Sequence, residues 1–382
     1  MALLSRWRGR GRRQVGKSRS GNALLWWVSF GCGALLTIGL LLPGLVSRGG
    51  SVGKGALAAQ TVVSDQAVPD RTSENSSLAA SESPTDRLSG SSETKPVSQI
   101  DDVTVAVLVS GEQRVEDVSI EAYVRGVVAG EMPADFEPEA LKAQAIAART
   151  YIVRRLSLNA SSNAEEGKTS RYDVTDTTED QVYISKDRLE RQWPADAQAK
   201  LEAIERAVEE TKGLIVTFNR QPIQAAFFST SNGYTENSED YWGQPLPYLR
   251  SVPSPWDKNV SPRYKQTVEM SLKEFYAKLG VKRKKGMKIR VTGLTEGRRI
   301  KEFTVGNRSF TGRETREKLG LPSSQFTWKV TKDRIFFTTY GYGHGVGMSQ
   351  WGANALAKEG KTAEQILQYY YTGVRIEQAS KL

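Results

Sequence analysis

The chain has 382 residues with one cysteine and one histidine, and it carries a formal net charge of +10. That length holds one large or two ordinary domains, and a lone cysteine excludes a disulfide-stapled scaffold. The charge is uneven: Arg6, Arg8, Arg10, Arg12, Arg13, Lys17 and Arg19 crowd residues 1–22 with no acid among them, which leaves only +3 elsewhere.

After this basic arm, residues 23–46 (ALLWWVSFGCGALLTIGLLLPGLV) are uncharged. They are about as long as the roughly 20 residues needed to cross a hydrocarbon core. A transmembrane anchor is expected here, with Trp26 and Trp27 at an interface and the arm kept cytoplasmic, so that all that follows lies outside the cell membrane. A cleaved signal peptide is the other reading, but its apolar core is normally only about 7–15 residues. Cys32 lies in the span, so the outer part has neither a disulfide nor a thiolate ligand. Residues 47–100 are rich in small and polar residues and poor in aromatics, which predicts a disordered tether. An extracytoplasmic domain does not meet the chromosome, which removes nucleic acid as a partner. The run Lys282, Arg283, Lys284, Lys285 is then a solvated turn or, as the minority reading, a contact for an anionic wall polymer.

The folded domain is placed at residues 101–382. It begins with a strand at VTVAVLV from Val103. Helical periodicity follows over Ser119 to Gly130, Pro138 to about Leu156, Ala195 to Lys212, Met348 to Lys358 and Thr362 to Tyr370. Strand patterns cover Leu214 to Phe218, Ile223 to Phe228, Lys288 to Thr292 and Ile300 to Val305, with a hairpin from Phe326 to Thr339. Without regular β-α-β alternation, this mixture argues for an α+β fold of helices and antiparallel strands carrying a substrate cleft.

The first helix poses a question. Ser119 suits its N-cap, Glu121 its first turn and Pro133 its stop. Ile120, Tyr123, Val124, Val127 and Val128 form an apolar stripe, and Glu131 falls on that stripe. Desolvation and the negative end of the helix dipole both raise a carboxyl pKa there, as a general acid requires. An ordinary capping or salt-bridged carboxylate fits the spacing equally well. On the next helix Leu141, Ala145, Ala148 and Ile152 form the buried stripe. Lys142 and Arg149, seven residues apart, project from one side where they could flank a groove; spacing alone favours ordinary surface cations.

Farther on, AAFFSTSNGYTENSEDYWGQPLPYLRSVPSPWD passes from an apolar strand into small polar residues at Ser231-Asn232-Gly233 and then into aromatics. Tyr241, Trp242, Tyr248 and Trp256 offer faces for sugar rings, or pack against the domain. In YGYGHGVGMSQWGANALAKEG, glycines at 341, 343, 345 and 347 allow close backbone approach, and Ser349 or Asn354 helps start the following helix. His344 is best read as a packed imidazole. The Tyr369-Tyr370-Tyr371 run reads as helix-face packing.

Three stretches, GEMPADFEPEALKAQAIAARTY, FFSTSNGYTENSEDYWG with PYLRSVPSPWD, and GYGHGVGMSQWGANALAKEG, occur in this order, and with them the chain resembles the SpoIID/LytB family. The resemblance implies a membrane-anchored lytic transglycosylase that cuts the MurNAc-GlcNAc bond of peptidoglycan glycan strands, leaving 1,6-anhydroMurNAc ends, while the mother-cell membrane engulfs the forespore. It makes Glu131 the catalytic acid and sets Lys142, Arg149, Tyr248 and Arg250 along its cleft. Ser231, Asn232 and Tyr241 are expected to orient the sugar. It also implies peptide-stripped strands as substrate, and a complex with a sporulation amidase/endopeptidase and a membrane scaffold. Some members bind zinc through histidines and cysteines; with one histidine and no cysteine outside the span, neither a metal nor another cofactor is expected here. Two rival readings remain: a non-catalytic amidase enhancer or wall-binding scaffold, and a serine hydrolase pairing Ser231 or Ser229 with His344, which lacks the usual nucleophile elbow.

Overall fold

The computed structural model describes residues 103–166, 171–192 and 197–381. The basic arm, the expected anchor at 23–46 and the tether lie outside them. Among the described residues no helix is long and apolar enough to cross a membrane.

The described residues form ten α-helices: α1 (Ile120–Glu131), α2 (Pro138–Glu166), α3 (Lys186–Gln192), α4 (Ala197–Glu209), α5 (Ser238–Trp242), α6 (Asp257–Val260), α7 (Leu272–Lys278), α8 (Gly312–Leu319), α9 (Gln350–Lys358) and α10 (Ala363–Tyr370). The sheets are small and mainly antiparallel. Thr104–Val109 pairs antiparallel with Arg114–Ser119 and parallel with the short Val174–Thr175. The expected hairpin forms with Phe326 opposite Thr339, and Lys265–Ser271 adds a third strand to it. The expected continuous strand from Ile223 to Phe228 is instead a pairing at Gln221–Pro222 and a short parallel one between Phe227–Phe228 and Met348–Ser349.

The helix ends follow local chemistry. The Ser119 hydroxyl accepts from the Ala122 N–H, and Met132 leaves the helical region just before Pro133. Pro138 starts α2 without an N–H to leave orphaned, while the N–H of Glu137 before it is taken by Asn354 Oδ1 at 2.8 Å. Asn354 therefore caps α2, whereas Ser349 caps α9. From Ala140 to Ile152 only Lys142 and Tyr151 escape full burial. This part of the helix, buried on nearly every side, is a central core element, and α2 packs against α1, α4, α9 and α10. Its alanines at 140, 143, 145, 147 and 148 let these neighbours come close.

Buried apolar side chains form two clusters. The larger is centred on α1, α2, α4, α9 and α10. The smaller, from Met270 to Phe337, holds the Phe326 hairpin, the sheet beginning at Ile289, α7 and α8.

Candidate functional site

Glu131 is the last residue of α1, and its side chain is half-buried. One face of α1 carries Gly126 and Gly130, a turn apart, and the segment Val182–Ile184 lies directly on them. A Cβ on Gly130 would stand 2.6 Å from the Val182 carbonyl oxygen, and one on Gly126 2.8 Å from that of Ile184. This closeness brings the Val182 N–H to Glu131 Oε1 at 2.9 Å. The Gln350 side chain also hydrogen-bonds the carboxyl. No ion pair reaches it among the described residues. Burial pushes its pKa up to about 7, and the Val182 and Gln350 bonds act against the rise. Of two open cavities, one of about 390 Å³ lies apart from α1 and one of about 400 Å³ is lined in part by Ile184 and by Gly126, about a turn back along α1; Glu131 lines neither.

Gly130→Ala is expected to destabilise the protein. Helix propensity would gain about 0.5–1 kcal/mol from alanine, but forcing a methyl group onto a backbone carbonyl costs about 1–3 kcal/mol, so the steric effect wins. The displaced loop should also withdraw the Val182 donor and raise the Glu131 pKa further. Denaturant unfolding and carboxyl ¹³C titration measure the two effects.

The cations of α2 are engaged. Lys142, about one-fifth exposed, bridges Glu139 at 2.8 Å and Glu210 at 2.6 Å, tying α2 to the end of α4. Arg149 is wholly buried. Its guanidinium grips both oxygens of Glu121, at 2.8 and 2.6 Å, and donates to the carbonyls of Thr211, Leu214 and Val208. In this conformation it presents no donor to a ligand. The expectation of a groove lined by both cations does not fit this placement: a seven-residue spacing does put them on one side of α2, but that side faces α1 and α4 rather than solvent.

Ser231 and Asn232 are also buried; Ser231 stitches its own loop together, and Asn232 ties that loop to the turn at Gly297. The Ser231 hydroxyl donates to the Ser254 carbonyl at 3.1 Å and accepts the Gly233 N–H at 2.8 Å. Asn232 donates to the Gly297 carbonyl at 2.9 Å. The Tyr248 hydroxyl accepts the Gln224 N–H at 3.1 Å beneath the surface. Tyr241 and Arg250 keep exposed area. Arg316 donates to the Tyr241 hydroxyl at 3.0 Å, and the Arg313 guanidinium lies 4.9 Å from the ring centre. Arg250 clasps Glu239 at 2.7 and 2.5 Å, which holds that carboxyl down to about 2.

Asp257 joins the second and third stretches. This buried carboxylate accepts the Ser231 N–H at 2.6 Å, the Ser254 hydroxyl at 3.0 Å and the Ser349 hydroxyl at 2.5 Å; burial nonetheless raises its pKa to about 6. Ser349 caps α9, so the same contact positions Gln350 and Trp351 beside it, and Trp351 packs edge-on against Phe136 just beyond Glu131.

All four glycines from 341 to 347 take positive φ. His344 packs among Phe228, Tyr241 and Trp242; its Nδ1 accepts the Val346 N–H at 3.1 Å, and it also bonds the Phe227 backbone. Burial, with Arg316 and Arg299 nearby, drives its pKa down to about 3. The imidazole is therefore neutral and engaged, the Ser231 hydroxyl donates to carbonyls and the Ser229 hydroxyl meets that of Thr230 at 3.2 Å, so neither serine pairs with His344.

The structure thus brings Glu131 together with Val182 and Gln350, and it joins Ser231 to Ser349 through Asp257. It does not gather Lys142, Arg149 and Arg250 around the carboxyl. Val182, Gln350 and Asp257 went unnoticed in the sequence. Only Gln350 carries a local signal, a polar residue in the first turn of a helix whose other early positions are small or apolar.

Residues 109–218 match the family model described as SpoIID, Stage II sporulation protein. Over 278 residues the chain is 51% identical to Stage II sporulation protein D of Bacillus subtilis (strain 168), an overlap covering 72% of this chain and 80% of that protein. The protein of the same name from Bacillus amyloliquefaciens is 47% identical over 278 residues, 72% of this chain and 79% of that protein. The Amidase enhancer of Bacillus subtilis (strain 168) is 29% identical over 308 residues, 66% of this chain but 40% of that protein.

Proposed function

The chain belongs to the SpoIID family of stage II sporulation proteins, and on that premise we propose that it is a lytic transglycosylase acting on peptidoglycan glycan strands during engulfment. The observation that carries this reading is Glu131: a half-buried carboxyl with no cationic partner among the described residues, its pKa raised to about 7, held by two uncharged donors.

An ordinary glycosidase divides its work between two carboxylates. A transglycosylase needs one that can both give and recover a proton. Protonated Glu131 donates to the oxygen bridging muramyl C1 and the next sugar. The C1–O bond breaks through an oxocarbenium-like state, and the leaving sugar keeps the proton as its hydroxyl. Glu131 is then a carboxylate, and Val182 and Gln350 stabilise it in that form. It takes the proton from the muramyl C6 hydroxyl as that oxygen bonds to C1. The product is a 1,6-anhydro ring, no water is consumed, and the acid is restored. A pKa close to the working pH makes both halves accessible.

Lys142 and Arg250 retain exposed surface and are assigned to substrate anions or N-acetyl carbonyls, by exchange with their present glutamate partners. Tyr241 offers a half-exposed ring for a sugar face. Arg149, Ser231, Asn232 and Tyr248 support the loops from beneath. Residues 23–46 are assigned as a single-pass anchor with the N-terminus cytoplasmic, and an amidase/endopeptidase that strips stem peptides is assigned as partner.

Mass analysis of purified sacculi, first stripped by an amidase and then digested with the full-length chain, tests the reading. Fragments ending in 1,6-anhydro sugars, each lighter by one water than a hydrolysis product, are expected. Reducing ends alone would indicate a hydrolase. The relative named Amidase enhancer favours a second reading, a non-catalytic stimulator of a partner amidase. Under that reading no new ends of either kind form while amidase release of peptides rises.

A further inference from the structure

The basic run at 282–285 is not a simple solvated turn. Arg283, Lys284 and Lys285 form one wall of a cavity of about 390 Å³, and Met287, Trp328 and Val330 contribute to its apolar lining. That volume lies within the range of about 300–1,000 Å³ typical of small-ligand sites. The three cations are exposed and no acid lines the cavity; on the adjoining strand and helix Glu274 is paired with Lys278 at 3.1 Å and Glu269 with Arg334. Trp328 is braced edge-on by Phe303 and Phe326, with ring centres 5.3 and 6.4 Å away, so its position is set before any ligand arrives. Val330 is 46% exposed beside it.

Like charges gathered around one concavity repel unless an anion joins them. The apolar lining adds a second requirement, a flat partner with an apolar face, as a sugar ring provides. Resting on the glycan-strand reading above, we propose that this cavity binds the free lactyl carboxylate and adjoining ring of peptide-stripped muramyl residues, so that the protein selects stripped strands at a place separate from Glu131. The chemistry of the substrate supplies the discrimination. With a stem peptide attached, the lactyl carboxyl is a neutral amide. Once the stem is removed, each disaccharide carries a carboxylate at that position, and a strand presents a regular row of negative charges.

The test uses the full-length chain carrying Glu131→Gln, so that strands are bound and not consumed. Its binding is compared with that of the same chain further changed at Arg283→Ser, Lys284→Ser and Lys285→Ser; all three are surface positions whose loss should leave the fold intact. On amidase-stripped strands the added changes should weaken binding about tenfold, since each exposed charge contributes up to about a factor of five, and should flatten its salt dependence. On stripped strands whose lactyl carboxylates have been converted to methylamides, both proteins should bind equally. Unchanged binding to stripped strands overturns the proposal, as does a loss confined to a polyol-phosphate wall polymer. The chain with Glu131 intact separates the two readings: carboxylate-dependent binding without anhydro ends leaves this site standing and removes the enzyme, whereas anhydro ends with carboxylate-indifferent binding do the reverse.

Discussion

Glu131→Gln is expected to reduce the release of 1,6-anhydro ends by about 10²–10⁴-fold, the range that a positioned general acid contributes. Glutamine has the same shape, and its carbonyl oxygen can still accept the Val182 N–H, so the fold should survive. What the variant lacks is the proton. Wild-type cleavage should also weaken as pH rises through about 7, where the acid form is lost.

Stability should respond in a direction set by the sign of the same shift. The Glu131 pKa is raised in the folded protein, so between its unfolded value and about 7 the folded chain binds more protons than the unfolded one. The resulting stabilisation is full below the unfolded pKa and disappears as pH climbs through about 7. A rise from 4.5 to about 7 corresponds to roughly 3 kcal/mol at most. Glutamine carries no such dependence, so the variant should gain on wild type by up to that amount at pH 8 and by little at pH 4. Urea unfolding at both values, with anhydro-sugar analysis of sacculi, checks both halves. Full cleavage by the variant would remove Glu131 from the chemistry.

The second large effect concerns Arg149. Arg149→Ala should destabilise the protein by about 3–5 kcal/mol, the cost of removing one partner from a buried ion pair. The guanidinium links α1, α2 and the end of α4 through one carboxylate and three carbonyls. Its loss leaves Glu121 without its cation and takes one donor from each of the carbonyls of Val208, Thr211 and Leu214. Lysine should not rescue, because a single ammonium cannot reproduce the planar fork. By contrast, Arg250→Ala breaks a partly exposed pair, and such pairs contribute only about 0–1 kcal/mol. Denaturant midpoints separate the two. A folded, fully stable Arg149→Ala protein that had lost only glycan affinity would restore Arg149 to the substrate surface.

That contrast shows where the sequence could be read and where it could not. The start and stop of α1 were legible because capping and proline chemistry are local: Ser119, Glu121 and Pro133 each act within a turn. The misfit of Glu131 on its apolar stripe was legible for the same reason. The orientation of Arg149 was not, because α2 is buried on nearly every side and its periodicity cannot identify which neighbour occupies which face. Helix α2 also runs about ten residues past its expected end at Leu156, through a polar segment without an apolar stripe. The strand Lys265–Ser271 and helix α7 were missed because charged residues fill most of their exposed positions. Helix α8 does carry a local signal: Thr311 and Glu314 form a capping box with the expected spacing. Val182 and Asp257 act through contacts distant in the chain, and no local pattern announces either.

The Val182 contact has a consequence for how this site can be inherited. A main-chain amide is supplied by nineteen of the twenty amino acids, so the donor that steadies the Glu131 carboxylate can outlast wholesale replacement of the loop's side chains, provided that proline does not enter at position 182. The constraint is transferred across the interface to Gly130, where the absence of a side chain is what allows the amide to arrive. Divergent descendants should therefore preserve an empty space on the helix more faithfully than any residue on the strand of chain that fills it.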